Sequence, residues 1–316
     1  MINLLYTALG FIPLILGADW LVKGSASLAR RRNIPDVIIG LTIVAFGTSA
    51  PELIVNLLAA VEGNPGFSYG NVLGSNIINI LLILGLAALI RPMVIKAGTT
   101  WIEIPLCLLS AIILLVISND VIIDSAANSV ISRNDGIILM LFFAVFMYYS
   151  WFAATRNSRE RIPGIMPLKY SKSVFYIIAG IVLLAGGGQV IIYFAKKFAV
   201  HYAISERLIG LTILSVGTSL PELTTSIIAS IRKNADISIG NIIGSNIFNT
   251  FLILGASSAI APIAIENMAN TDLLVNILAT LLIFIFVFTR KGRMIDRWEG
   301  GLMVVIYILY MFYILK

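Results

Sequence analysis

Long runs of apolar side chains, separated by short polar segments, fill most of the chain. A helix that crosses a bilayer needs about 20 mostly apolar residues. Ten segments fit this description, and each is predicted to form a membrane-spanning helix. The predicted spans are 3–23, 37–59, 69–90, 101–118, 135–153, 173–195, 207–230, 239–260, 272–289 and 299–315. The pattern therefore predicts an all-α integral membrane protein with ten transmembrane helices.

Two polar motifs occur twice within these spans. Residues 39–53 (IGLTIVAFGTSAPEL) and 209–223 (IGLTILSVGTSLPEL) are identical at 11 of 15 positions. Residues 70–80 (GNVLGSNIINI) likewise resemble residues 240–250 (GNIIGSNIFNT), and both pairs are 170 residues apart. Chance does not produce two polar motifs inside membrane spans with one shared offset. The chain is therefore predicted to contain two copies of one five-helix unit.

The duplication also predicts the architecture. Each unit has five spans, and an odd number places the second unit in the membrane upside down. Transporters use such inverted repeats to build a site near the bilayer midplane on broken helices. We predict a first five-helix repeat at 1–155, a cytoplasmic linker at 156–172 and a second five-helix repeat at 173–316.

Basic residues are distributed unevenly between the two sides. If the N-terminus is outside and all ten spans cross, 17 of the 22 Lys and Arg residues lie inside and 5 lie outside. Cytoplasmic loops of membrane proteins are enriched in these residues. The distribution predicts a multi-pass protein of the cell membrane with both termini outside and the 156–172 linker in the cytoplasm.

The composition agrees with lipid as the main solvent. Hydrophobic residues make up 59% of the 316 residues, and charged residues make up 12%, against about a quarter in a soluble domain. One cysteine, Cys107, and one histidine, His201, exclude a disulfide framework and a four-ligand zinc site. The net charge of +6 is explained by topology, so nucleic acid is not an expected partner.

The motif GTSAPE at 47–52 places Glu52 in the middle of a span, and Glu222 occupies the same position in the second copy. An ionisable side chain at this depth costs about 2.5–3.5 kcal/mol on insertion scales. Two such residues at equivalent positions favour a functional role over that of buried structural acids. Thr48 and Ser49 precede Glu52 by four and three residues, so hydroxyl and carboxylate oxygens share one helical face.

Pro51 and Gly47 are predicted to break the second span, since proline removes an N–H and glycine adds backbone freedom. The break would free carbonyl oxygens, including those of Ala45 and Thr48. Free carbonyls at membrane depth are tolerated only in a cavity or around an ion. The second copy repeats the arrangement with Ser215, Gly217, Thr218, Ser219, Pro221 and Glu222.

The second motif, GNxxGSNxxN, has polar residues four apart on one helical face at Asn71, Ser75 and Asn79. The second copy has the same spacing at Asn241, Ser245 and Asn249. Such residues either bond to neighbouring helices or contact an ion. Ion contact is favoured for Asn79 and Asn249, whereas both roles stay open for the other asparagines.

Together the motifs supply carboxylate, hydroxyl, amide and carbonyl oxygens, without sulfur or imidazole. Calcium binds about 6–8 such oxygens, and sodium prefers similar ligands. Transition metals favour softer or nitrogen ligands. The two carboxylates together neutralise one Ca²⁺, which makes calcium the best match for the predicted site.

The paired motifs resemble those of the cation/calcium antiporter superfamily, and specifically its prokaryotic sodium/calcium exchanger branch. The resemblance extends over nearly the whole chain and implies a ten-helix transporter whose second, third, seventh and eighth helices form the ion site. Helices one and six would slide past this core to alternate access. Neither an enzymatic activity nor a cofactor is implied, and the transported ions would be Ca²⁺ and Na⁺.

The resemblance also implies roles for individual residues. The calcium ligands would be Glu52, Glu222, Thr48 and Thr218. Flanking sodium sites would be completed by the carbonyls of Ala45 and Ser215 and by the side chains of Ser49, Ser75, Ser219 and Ser245.

Two departures from the family pattern bear on function. Many relatives, including potassium-dependent members, have aspartate at the position of Asn249, so asparagine here argues against potassium dependence. The short 156–172 linker leaves no room for the regulatory domain of larger relatives. We therefore expect a monomer without a regulatory domain, whose partners are the bilayer and its ions.

Three other functions compete with sodium/calcium exchange. Exchange of H⁺ or another cation for Ca²⁺ stays open, because Glu52 and Glu222 can bind protons. A channel fits less well, since channels use rings of ligands around one open path. An intramembrane enzyme is disfavoured because the chain has no HExxH motif and no nucleophile elbow.

Overall fold

The structure, a computed structural model, describes residues 2–63, 65–123, 125–156, 168–201, 215–265, 269–289 and 292–314. Nine helices in this described part are long and apolar enough to cross a membrane. The prediction of an all-α membrane protein is confirmed. The predicted seventh span, 207–230, begins at residues that lie outside the described part.

Apart from the short helix α5, the helices follow the predicted spans in chain order. They are α1 (Ile2–Arg32), α2 (Asp36–Val61), α3 (Pro65–Ile77, continued by Ile78–Leu84 and Gly85–Ile90), α4 (Thr99–Ile117), α5 (Asp120–Ile123), α6 (Arg133–Arg156), α7 (Tyr170–His201), α8 (Ser215–Thr218), α9 (Leu220–Ile231), α10 (Ala235–Ile260), α11 (Ala269–Thr289) and α12 (Arg297–Ile314). The described part of the seventh span is formed by α8 and α9.

The two helices with the GNxxGSNxxN motif lie at the centre of the molecule. In α10, 94% of the apolar span is buried, and in α3 the buried share is 72%, whereas it is 17% in α6. The main apolar core is built around α3 and α10. A second, smaller cluster joins α1 and α7 to parts of α2 and α9. The α1–α7 pair thus packs against the core without belonging to it.

Two short antiparallel sheets connect the two halves of the chain. Strand β1 (Met93–Val94) pairs with β4 (Met294–Ile295), and β2 (Val130–Ile131) pairs with β3 (Ile263–Ala264). In each sheet one strand comes from each half. Strand β1 directly follows α3 and strand β3 directly follows α10, so each sheet holds the end of one central helix in place.

Glycine lets the helices α1 and α7 approach closely. A Cβ atom on Gly17 would lie 2.8 Å from the carbonyl oxygen of Gly180, and one on Gly180 would lie 2.8 Å from that of Gly17. The contact is therefore between backbones. Small residues serve the same purpose in other membrane helix pairs.

The two GTSxPE segments differ in backbone conformation. The segment Ala45–Val61 of α2 is a continuous helix that contains Pro51, so the predicted break at Pro51 and Gly47 is wrong for this conformation. Proline withholds one N–H, and one missing bond does not end a helix that is packed on its neighbours. The irregularity in α2 is a π turn at Gly40–Val44. In the second copy the expected break is present at Ser219, between α8 and α9.

Candidate ion-binding site

The GTSxPE motif of the first half meets the GNxxGSNxxN motif of the second half. The Thr48 hydroxyl lies 3.0 Å from Oδ1 of Asn241, and the Ser49 hydroxyl lies 3.0 Å from Oγ of Ser245. All four side chains are buried. The contact joins the middle of α2 to the first half of α10. The single hydrogen of the Ser49 hydroxyl can serve one acceptor at a time, and the shorter of its two contacts is the one to Glu222.

The reciprocal contact joins the second GTSxPE motif to α3. The Thr218 hydroxyl lies 3.4 Å from Oδ1 of Asn71, and the Ser219 hydroxyl donates to Oγ of Ser75 at 3.2 Å. Adding or subtracting 170 converts each pair in this contact into a pair of the first one. The offset found in the sequence therefore also relates the tertiary contacts.

Both motif glutamates are buried at this junction, each with 1% of its surface exposed. Oε1 of Glu222 accepts hydrogen bonds from Ser49 at 2.8 Å and from Ser245 at 3.4 Å. Thr218 lies beside Glu52. Within the part of the chain that the structure describes, however, no donor satisfies either carboxylate oxygen of Glu52 or Oε2 of Glu222.

Two asparagines place further acceptor oxygens at the crossing of α3 and α10. Nδ2 of Asn79 donates to Oδ1 of Asn246 at 3.0 Å, and Nδ2 of Asn249 donates to Oδ1 of Asn76 at 3.1 Å. These bonds occupy the amide nitrogens. The Oδ1 atoms of Asn79 and Asn249 are left buried without a donor among the described residues.

On Glu52, Glu222, Asn79 and Asn249 together, five buried acceptor oxygens, three from carboxylates and two from amides, have no donor among the described residues. A buried acceptor without a partner is unfavourable by about 1–3 kcal/mol, and more for a charged group. The ion pairs in the described residues involve Asp19 and Asp236, not Glu52 or Glu222. A bound cation would satisfy these oxygens and would neutralise the two carboxylates.

Backbone ligands were predicted at Ala45 and Ser215. The carbonyl of Ala45 faces the motif, since the Thr48 hydroxyl lies 3.2 Å from it. Ser215 is the first residue of α8, and its side chain lies outside the described atoms. The other ten predicted residues lie on α2, α3, α10 and the segment formed by α8 and α9, which meet at the junction.

Sequence reasoning missed residues that support the glutamates. Asn56 donates from Nδ2 to the carbonyl of Glu52 at 2.6 Å, and its counterpart Ser226 accepts from Asn241 at 3.0 Å. The backbone carbonyls of Asn56 and Ser226 in turn accept from Ser68 and Ser238, at 3.1 and 3.0 Å. The signal was present in the sequence, because a polar residue follows each glutamate by four positions in both copies.

Comparison with known proteins agrees with this arrangement. The sodium/calcium exchanger protein family model matches residues 2–152 and 172–316. The chain belongs to the sodium/calcium exchanger family. The exchanger is 36% identical to the putative antiporter CaxA of Alkalimonas amylolytica, over 99% of this chain and 98% of that relative. It is 29% identical to the sodium/calcium exchanger MaX1 of Methanosarcina acetivorans, over 98% and 97% of the two chains.

A solved structure is similar over the same extent. The sodium-calcium exchanger NCX_Mj, soaked with sodium and strontium, superposes with a TM-score of 0.84 at 33% identity. The match covers 98% of this exchanger and 97% of that chain. The protein is therefore a multi-pass membrane transporter of the cation/Ca²⁺ exchange type, as its sequence motifs predicted.

Proposed function

We propose that the protein exchanges Na⁺ for Ca²⁺ at the junction of the two motif pairs. The observation that carries the proposal is the set of buried acceptor oxygens without donors on Glu52, Glu222, Asn79 and Asn249. Ca²⁺ accepts about 6–8 oxygens in a flexible shell. The hydroxyls of Thr48, Thr218, Ser49, Ser219, Ser75 and Ser245, with the carbonyls of Ala45 and Ser215, complete the Ca²⁺ and Na⁺ ligands.

Alternating access follows from a two-fold relation between the halves. We infer ten membrane helices in two inverted repeats, with 1–155 and 173–316 as the repeats and 156–172 as the linker. The reciprocal contacts of Ser49 with Ser245 and of Ser219 with Ser75 support this relation. An inverted repeat lets one half adopt the conformation of the other, which opens the site to the opposite side.

Both termini are proposed to lie outside and the linker in the cytoplasm, since this orientation places 17 of 22 basic residues inside. One chain supplies both halves of the site, so a monomer suffices for exchange. Two asparagines at positions 79 and 249 leave only two carboxylates in the site, which supports exchange without potassium.

The test is uptake of radioactive calcium into sodium-loaded vesicles that contain the purified protein. An outward sodium gradient should drive uptake, and the double variant Glu52→Gln/Glu222→Gln should lose it. Exposed Glu62, at the end of α2, provides the control Glu62→Gln, which should transport normally. Uptake that ignores sodium but follows a pH gradient would replace Na⁺ by H⁺ as the exchanged ion. Single-channel currents would contradict alternating access.

A further inference from the structure

A cavity of about 790 Å³ lies away from the ion site, at the end of α1 that faces the turn between α9 and α10. Two acidic side chains line it, Asp36 and Asp236. Five basic side chains also line it: Lys23, Arg30, Lys96, Arg232 and Lys233. The excess of positive charge indicates an anionic ligand, because a second cation would increase the repulsion.

The neighbouring carboxylates already have partners. Lys96 pairs with Asp236 at 2.7 Å, and Asp19 beside the cavity accepts from both Lys23 and Arg232. Asp36 accepts from Asn234 at 2.8 Å through Oδ2, and its Oδ1 is buried without a donor among the described residues. Even with Asp19 included, the basic side chains around the cavity outnumber the acidic ones by five to three.

Two of the cations are available to a ligand. The Nε atom of Arg30 is buried and has no hydrogen-bond partner among the described residues. Lys233 forms no ion pair with the residues that the structure describes. Its backbone has a φ of 62°, so the chain turns sharply at this residue. A buried guanidinium nitrogen without a partner is unfavourable unless a ligand satisfies it. Arginine suits phosphate in particular.

The cavity wall on the side of the α1–α7 pair is apolar. It includes Val22 and Ala26 of α1 and the ring of Tyr176 on α7, which stacks on Trp20 at 5.3 Å. Phe175, next to Tyr176, is exposed on the outer surface of the pair, where lipid would lie. Aromatic residues of this kind are enriched where membranes meet water.

We propose that this cavity binds the phosphate headgroup of an acidic lipid from the adjacent leaflet, held by Arg30 and Lys233. Basic pockets between helices on the cytoplasmic side of membrane proteins recognise such headgroups. The apolar wall accommodates the start of the acyl chains. A free phosphate ion would contact the same two cations but would not contact the apolar wall. The lipid connects α1 to the turn that precedes α10.

The experiment compares ligands on the purified full chain in detergent. Phosphatidylglycerol, phosphatidylcholine and inorganic phosphate are each titrated, and binding is followed by native mass spectrometry and by the thermal unfolding midpoint. Phosphatidylglycerol should bind and raise the midpoint, whereas phosphatidylcholine, which has no net charge, should not. Inorganic phosphate that protects as well as phosphatidylglycerol would overturn the lipid assignment.

Variants test the two cations. Arg30→Gln and Lys233→Gln should each weaken phosphatidylglycerol binding about tenfold, the size of a lost hydrogen bond to a charged group. Lys233→Arg keeps the charge and should retain binding, which separates a lost contact from misfolding. Exposed Arg91 lies at the end of α3, outside the cavity, so Arg91→Gln is the matched control. An equal loss of binding in Arg91→Gln would mean general charge attraction and would overturn the site.

Discussion

The two GTSxPE motifs have nearly the same sequence but different conformations and different contacts. The first lies in an unbroken helix, and its Glu52 has no donor in the described part of the chain. The second is interrupted at Ser219, and its Glu222 accepts hydrogen bonds from Ser49 and Ser245. The same motif therefore has two different backbone conformations and two different sets of hydrogen bonds in one molecule.

This difference teaches that the local sequence does not decide the conformation of the motif. Because the two copies share most of their residues, the surroundings select the conformation of each. Under the proposed alternating access, the copies would exchange conformations in a second state. Two packings of one sequence that differ by only a few kcal/mol provide the bistable element of a conformational switch.

The largest expected effect comes from removing either carboxylate. Glu52→Gln and Glu222→Gln should weaken calcium binding equally, because each supplies half of the negative charge of the site. Loss of one charged partner from a buried site costs roughly 3–5 kcal/mol, or on the order of 100-fold or more in affinity. Calorimetric titration with calcium measures this effect. Near-normal affinity in only one variant would show that the copies are not equivalent.

The backbone difference predicts unequal effects of the two prolines on stability. Pro51 lies inside a helix, where proline is unfavourable by up to about 3 kcal/mol relative to alanine. Pro221 lies in the first turn of α9, where proline is well tolerated. Pro51→Ala should therefore raise the unfolding free energy, and Pro221→Ala should not. Thermal unfolding in detergent measures both, and equal stabilisation would contradict the described asymmetry.

Variants of the two motif serines test whether the two copies exchange roles during transport. Ser49 donates to a carboxylate, whereas Ser219 donates to Ser75. A hydrogen bond to a charged group contributes about 1.5–3 kcal/mol. If the copies exchange roles, Ser49→Ala and Ser219→Ala should both slow calcium uptake about tenfold or more.

The control for the serine pair is Ser230→Ala, since Ser230 donates to the carbonyl of Ala87 away from the ion site. This variant should transport like the unmodified protein. Normal uptake by Ser219→Ala alone would mean that only the conformation described here takes part in transport.

The smallest effect, on the unfolding free energy, is expected at a contact to which both halves contribute the same residue type. Gly17 and Gly180 contact each other reciprocally in the α1–α7 pair. Gly17→Ala overpacks this contact and should destabilise the protein by about 1–3 kcal/mol. Gly186, also on α7, has open space around its Cα, so Gly186→Ala is the matched control. Equal unfolding midpoints for the two variants would contradict a tight backbone contact.

The helices and the repeat were predictable because apolar length and identical motifs are local properties of the sequence. Nine predicted spans correspond to long apolar helices in the described part of the chain. The partners of the motif residues were not predictable in the same way. That Thr48 meets Asn241 depends on how α2 crosses α10, and no local pattern encodes a crossing.

The break at Pro51 was mispredicted for a related reason. Local preference makes proline a helix breaker, but packing on both sides of α2 holds the helix together. The supporting residues Asn56 and Ser226 could have been found from their common position after the glutamates. They differ in type, so identity between the two copies does not mark them.

The π turns in the two central helices have a further consequence. They occupy Ile78–Leu84 and Phe248–Leu254, which are 170 residues apart and contain Asn79 and Asn249. A π turn holds one residue more than an α turn, and one residue corresponds to roughly 100° of rotation about the helix axis. An extra residue in a regular α-helix would therefore rotate one half of α3 against the other, whereas the π turn accommodates it locally. In each central helix, the half that carries the GNxxGSNxxN motif and the half that leads into the strand thus keep their relative rotation despite the additional residue.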